Sequence, residues 1–161
     1  MPAPSESTRP PDSPSPSESP TAASPATTLD DATRLAAADG FPLLVPDHLP
    51  KGWQVVSAGY GVEGPGTWEL DLTDAQGGDV GVRQARDGVT AAYVGDIRTY
   101  LGSGARPVGT VDVPPLGTWD RYEGVRHPRG FAVGTLQGTQ VVLWADDAAL
   151  LPVLAATLRS G

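Results

Sequence analysis

Thr67-Trp68-Glu69-Leu70-Asp71-Leu72-Thr73 sets apolar and acidic side chains in strict alternation. Successive side chains on a strand point to opposite faces, so Trp68, Leu70 and Leu72 share one face and Glu69 and Asp71 the other. Such a run predicts a strand with one buried and one polar face, the habit of antiparallel sheets. Asp74-Ala75-Gln76-Gly77-Gly78-Asp79 follows and reads as a hairpin loop by its turn-forming residues. Residues 80–86 return as the partner strand, with Val80 and Val82 inward and Arg83 outward.

Upstream, Gly64-Pro65-Gly66 is a turn and residues 53–62 are the preceding strand, loosened by Gly59 and Gly61. Pro50-Lys51-Gly52 delivers Trp53 into that strand, because proline pre-sets φ and glycine supplies unusual φ without steric cost. A short strand is expected at 41–45, and before it a helix opened by Thr28. Thr28 is placed to cap that helix, and Asp30 and Asp31 fall in its first turn, where the helix dipole favours negative charge. Leu29, Ala32, Leu35 and Ala36 form its apolar stripe, and Gly40 stops it.

Downstream the period changes. Val89, Tyr93, Ile97 and Leu101 recur every four residues, with Tyr100 beside them, which predicts a helix over 90–101 laid on the sheet. Gly95 weakens it by about 1 kcal/mol, and Gly102-Ser103-Gly104 ends it. Strands are expected at 107–113 and 116–123, then a tight hairpin of 131–137 and 139–145 about Gly138. Asp146 is expected to cap a closing helix with Leu150, Leu154 and Leu158 on one face. Pro152 is uncomfortable beyond a first turn, so that helix starts near Leu150 or bends there. The sum is an α+β fold: a mainly antiparallel twisted sheet with an N-terminal helix, one helix laid on the sheet and a C-terminal helix. Hairpin-spaced strands argue against a doubly wound parallel sheet.

Residues 1–28 are almost entirely Pro, Ser, Ala and Thr. Such a segment has too little apolar surface to offset the entropy of ordering it and is expected to be an extended, semi-stiff spacer. The alternatives are a ligand for a proline-recognition domain or an O-glycosylated stalk. Residues 29–161 are then a single domain of roughly 130 residues, long enough to bury a core without disulfides or metals. The absence of cysteine excludes disulfides, zinc–thiolate sites and cysteine nucleophiles. A net charge of -8 argues against nucleic-acid and anionic-membrane partners, which select for Lys/Arg clusters. No run approaches the 18 or so apolar residues of a membrane span, and the N-terminus lacks the basic-then-apolar pattern of a signal peptide.

The residues that carry chemistry are sparse. His48 and His127 are the only histidines, and neither has a partner at metal-ligand spacing. Asp47 stands beside His48 as an orienting carboxylate, but a polar loop accounts for both. Asp146-Asp147 offers paired carboxylates for acid/base work or a cation, and helix capping explains the position without chemistry. Gly102-Ser103-Gly104 is not a nucleophile elbow, and Gly61-Val62-Glu63-Gly64-Pro65-Gly66 lacks the lysine of a phosphate loop. Arg121, Arg126, His127 and Arg129 lie around one loop, either as an anion or carbohydrate-carboxylate site or as a solvated hairpin tip. Arg121, Arg126 and Arg129 are the candidate ligand contacts. No catalytic residue, cofactor or metal is assigned. Each tryptophan brings 150–250 Å² of burial, so Trp53, Trp68, Trp119 and Trp144 are expected in the core. Trp144 adjoins the apolar Leu143, as on a strand covered on both faces.

Four segments occur together in one order: LPKGWQVVSA (49–58), TWELDLTDAQGGDVGVRQA (67–85), GTWDRYEG (117–124) and VVLWADDAALLPVLAATLR (141–159). With them the chain resembles the actinobacterial domain of unknown function 4245 family over nearly all of 42–160. The resemblance implies no assigned activity and no catalytic residues. It also implies a membrane helix just ahead of a domain that faces outside the cytoplasm. Here a Pro/Ser tail stands where that helix would be: either the sequence starts downstream of an anchor, for which such a spacer is expected, or this member is soluble as written. The leading expectation is a non-enzymatic, extracytoplasmic accessory domain, tethered to the membrane in its full-length form, that binds a protein or cell-envelope component. A second reading is a small-ligand or lipid-binding module with an apolar cavity of roughly 300 Å³ or more between the sheet and the 90–101 helix. A third is a hydrolase-type enzyme using Asp146 and Asp147 or the arginine loop, which requires those groups to meet in one cleft.

Overall fold

The Thr28 hydroxyl accepts a hydrogen bond from the Asp31 backbone N–H at 3.2 Å and donates to the Asp31 carboxylate at 2.8 Å. This cap opens α1 (Leu29–Ala38), and the Thr28 hydrogen bond, followed by that from Arg34, holds the Asp31 carboxyl below its usual pKa. The helix ends before Gly40, whose φ of 59° is the left-handed conformation that glycine tolerates. The computed structural model describes residues 28–62, 64–86, 105–114, 116–124 and 129–161. The helix expected over 90–101, and Arg126 and His127, lie outside the described residues.

After α1 come β1 (Leu44–Pro46), β2 (Gln54–Tyr60), β3 (Thr67–Thr73), β4 (Asp79–Arg86), β5 (Gly109–Val113), β6 (Gly117–Glu123), β7 (Gly130–Leu136) and β8 (Thr139–Ala145). A 3₁₀ turn (Ala148–Leu150), α2 (Leu151–Thr157) and β9 (Leu158–Ser160) close the chain. Strands β2 to β8 form one seven-stranded sheet in the order β2-β3-β4-β8-β7-β6-β5, and every neighbouring pair is antiparallel. Two meanders, β2 to β4 and β5 to β8, are thus joined along β4 and β8. β1 pairs antiparallel with β9 in a separate two-stranded sheet. The fold is α+β.

Alternation decides which residues enter the core. Trp68, Leu70 and Leu72 are opposite Gln84, Val82 and Val80 of β4, which are in turn opposite Val141, Leu143 and Ala145 of β8. This face packs with Ala32 and Ala36 of α1 and with Leu151, Leu154 and Ala155 of α2, so both described helices lie on one side of the sheet. Trp68 is fully buried, and its 150–250 Å² at about 25 cal/mol/Å² is worth about 4–6 kcal/mol as an upper bound. Trp119 lies on the same face. Its ring crosses the bare backbone of Gly134, where a Cβ would come within 2.2 Å.

The polar side chain of Gln84 is buried beside them. Gln84 Oε1 accepts from the Leu44 N–H at 3.1 Å, and Nε2 donates to the Pro42 carbonyl and to Thr139 Oγ1 at 2.7 Å. Gln84 therefore ties the β1 segment to the large sheet, and all three groups are satisfied where water is excluded.

The chain end departs from expectation. Asp147, not Asp146, caps the closing helical segment, accepting from the Ala149 N–H at 2.9 Å. Asp146 lies just past β8 and is held to the start of β4, its N–H donating to the Asp79 carbonyl at 2.9 Å. With the 3₁₀ turn interposed, Pro152 falls in the first turn of α2, where its missing N–H costs nothing. Leu158 is buried as expected of the apolar face, but it has left the helix and starts β9 opposite Pro46.

Candidate functional site

The sheet face turned away from both described helices carries a row of directly opposed residues: Ser57, Asp71, Gly81, Trp144, Phe131 and Tyr122, one from each of six strands. Gly81 has the smallest side of this row for a steric reason. The Trp144 indole lies across it, and a Cβ on Gly81 would come within 2.6 Å of Trp144 Nε1. Phe131 and Val142 are buried here, and Tyr122, Val133 and Trp144 pack against them as a cluster separate from the main core.

Charged groups frame the indole. The Arg83 guanidinium lies 5.8 Å from the Trp144 ring centroid and that of Arg129 lies 5.0 Å from it. Arg83 pairs with Asp71 at 2.7 Å, and the other Asp71 oxygen accepts from the Ser57 hydroxyl at 2.9 Å. Arg129 pairs with Asp146 at 2.7 Å and donates to it through Nε at 2.9 Å. The result is a ladder, Ser57–Asp71–Arg83–Trp144–Arg129–Asp146, in which each carboxylate faces a guanidinium and both guanidinium groups face one ring. Cation–π contacts of this kind contribute about 0.5–2 kcal/mol, depending on desolvation.

The sequence grouped Arg121 with Arg129, and the sheet separates them. Arg121 is directly opposite Ala132, a buried residue of the helix-covered face, and pairs with Glu123 at 2.9 Å. Arg129 stacks on Trp144, on the other face. Residues that are close in sequence around a hairpin still obey strand alternation, so proximity in the chain did not mean convergence. Asp146 and Asp147 likewise divide, one to Arg129 and the other to the Ala149 N–H. His48 is exposed in the loop after β1, its Nδ1 3.8 Å from Asp47 Oδ2. Arg83 was missed as a partner of Trp144, and Asp71 as a partner of Arg83. Their outward positions were readable, but the long-range register that sets them beside β8 was not.

A second polar group staples α1 to the sheet. The Tyr60 hydroxyl donates to the Asp39 carboxylate, and Arg86 donates to the Asp39 carbonyl at 2.8 Å. Phe41 lies between them, its ring 5.1 Å from that of Tyr60 and 5.6 Å from the Arg86 guanidinium. Burial, then the hydrogen bond to Asp39, pushes the Tyr60 phenol up to about 12. Among the described residues no group of three or more His, Asp or Glu side chains is arranged to hold a metal ion. No described helix is long and apolar enough to cross a membrane.

A profile of the family described as "Protein of unknown function (DUF4245)" matches residues 8–157. The chain belongs to this family. The DUF4245 match takes in α1, both meanders and α2, and it starts inside the Pro/Ser-rich stretch. Comparison with curated proteins and with solved structures finds no match.

Proposed function

We propose that this DUF4245 domain is a non-enzymatic accessory domain that works outside the cytoplasm by binding a protein or a cell-envelope component. The observation that carries the reading is how its acids are engaged. Asp71 is held by Arg83 and Ser57, Asp146 by Arg129, and Asp147 by a backbone N–H. A general acid or base must reach a substrate proton with a second group nearby to complete the chemistry. These carboxylates are instead spent on internal pairing, and Arg121 stands across the sheet from Arg129. The extracytoplasmic part of the proposal is supported by the Pro/Ser-rich stretch and by the membrane helix that the family resemblance implies ahead of the domain.

The test is a thermal-shift and titration screen of the whole chain against soluble envelope polymers and candidate partner proteins, run beside generic ester, peptide and phosphate substrates. Saturable stabilisation by a polymer or a partner, without turnover, is the expected result. Turnover that disappears in Asp146→Asn or Asp147→Asn while circular dichroism stays native would overturn the proposal.

A further inference from the structure

We draw no further inference here: the strongest candidate, the groove of about 360 Å³ between α1 and the end of β9 lined by Thr33, Ala37, Phe41, Leu43, Gln137 and Gly161, is open on one side, and nothing in the structure shows what covers it.

Discussion

Gly81 faces Trp144 across the junction of β4 and β8, and the indole occupies the space in which any larger residue would place its side chain. A Cβ on Gly81 would also lie 2.7 Å from the Leu70 carbonyl oxygen. Gly81→Ala should therefore lower stability by about 1–3 kcal/mol through overpacking. Equilibrium urea unfolding should report this as a lower midpoint at unchanged slope. In a Trp144→Ala background Gly81→Ala should cost less than in the wild type but not nothing, since the clash with the Leu70 carbonyl remains. A Gly81→Ala protein as stable as the wild type would show that the indole does not lie on this glycine.

Gln84 should be among the most sensitive polar positions. Gln84→Ala strands the Leu44 N–H and the Pro42 carbonyl in a buried setting, each at about 1–3 kcal/mol, and leaves a cavity beside Trp68. The expected loss is about 3 kcal/mol or more. Amide exchange gives a local readout: Leu44 should exchange faster in the variant even under conditions where β3 and β4 stay protected. Equal acceleration across all strands would mean that Gln84 supports the domain globally and does not serve as the tie to β1.

Tyr60 gives a pH-dependent prediction. Its folded pKa of about 12 lies above the ordinary value of 10.0. The unfolded chain therefore loses the phenolic proton first as pH rises, and the contribution of Tyr60 is complete below pH 10 and is lost between 10 and about 12. Tyr60→Phe should cost about 1 kcal/mol at neutral pH for the lost hydrogen bond to Asp39. It should also flatten the alkaline limb of stability against pH relative to the wild type. Parallel wild-type and Tyr60→Phe curves above pH 10 would contradict the contact.

Arg129 and Asp146 should couple. Both are partly exposed, so solvent screening limits their pairing to about 1 kcal/mol or less in a double-mutant cycle of Arg129→Gln and Asp146→Asn. That coupling should shrink in 1 M salt, where the screening length falls to about 3 Å. Arg129→Gln should cost more than Asp146→Asn, because it also removes the contact with Trp144. The same cycle between Arg121 and Asp146 should return no coupling.

Local pattern was enough for much of this fold. The alternation of Trp68, Leu70 and Leu72 identified β3 residue for residue, and Thr28 and Gly40 marked α1 because caps are properties of a few adjacent residues. Long-range pairing was less legible. Nothing in the local pattern of β4 says that β8 will lie beside it, so the meeting of Arg83 with Trp144 could not be read in advance. The end of the chain failed for a related reason. Leu158 continues the four-residue spacing of Leu150 and Leu154, but pairing with β1 drew it into a strand, so tertiary context overrode periodicity. Register also parts Arg121 from Arg129: Arg121 is on β6 opposite Ala132, and Arg129, just ahead of β7, stacks on Trp144 on the other face.

The junction of the two meanders also bears on how the chain reaches this fold. Hairpins such as β3–β4 and β7–β8 close short loops and can form early, on the microsecond scale typical of such units. The β4–β8 ladder brings together groups such as Gln84 and Thr139, 55 positions apart, and its chain entropy is lost before any of its contacts are gained. The slow step of folding should thus be the docking of two preformed meanders, and substitutions along that junction should retard folding more than those at the outer edges β2 and β5.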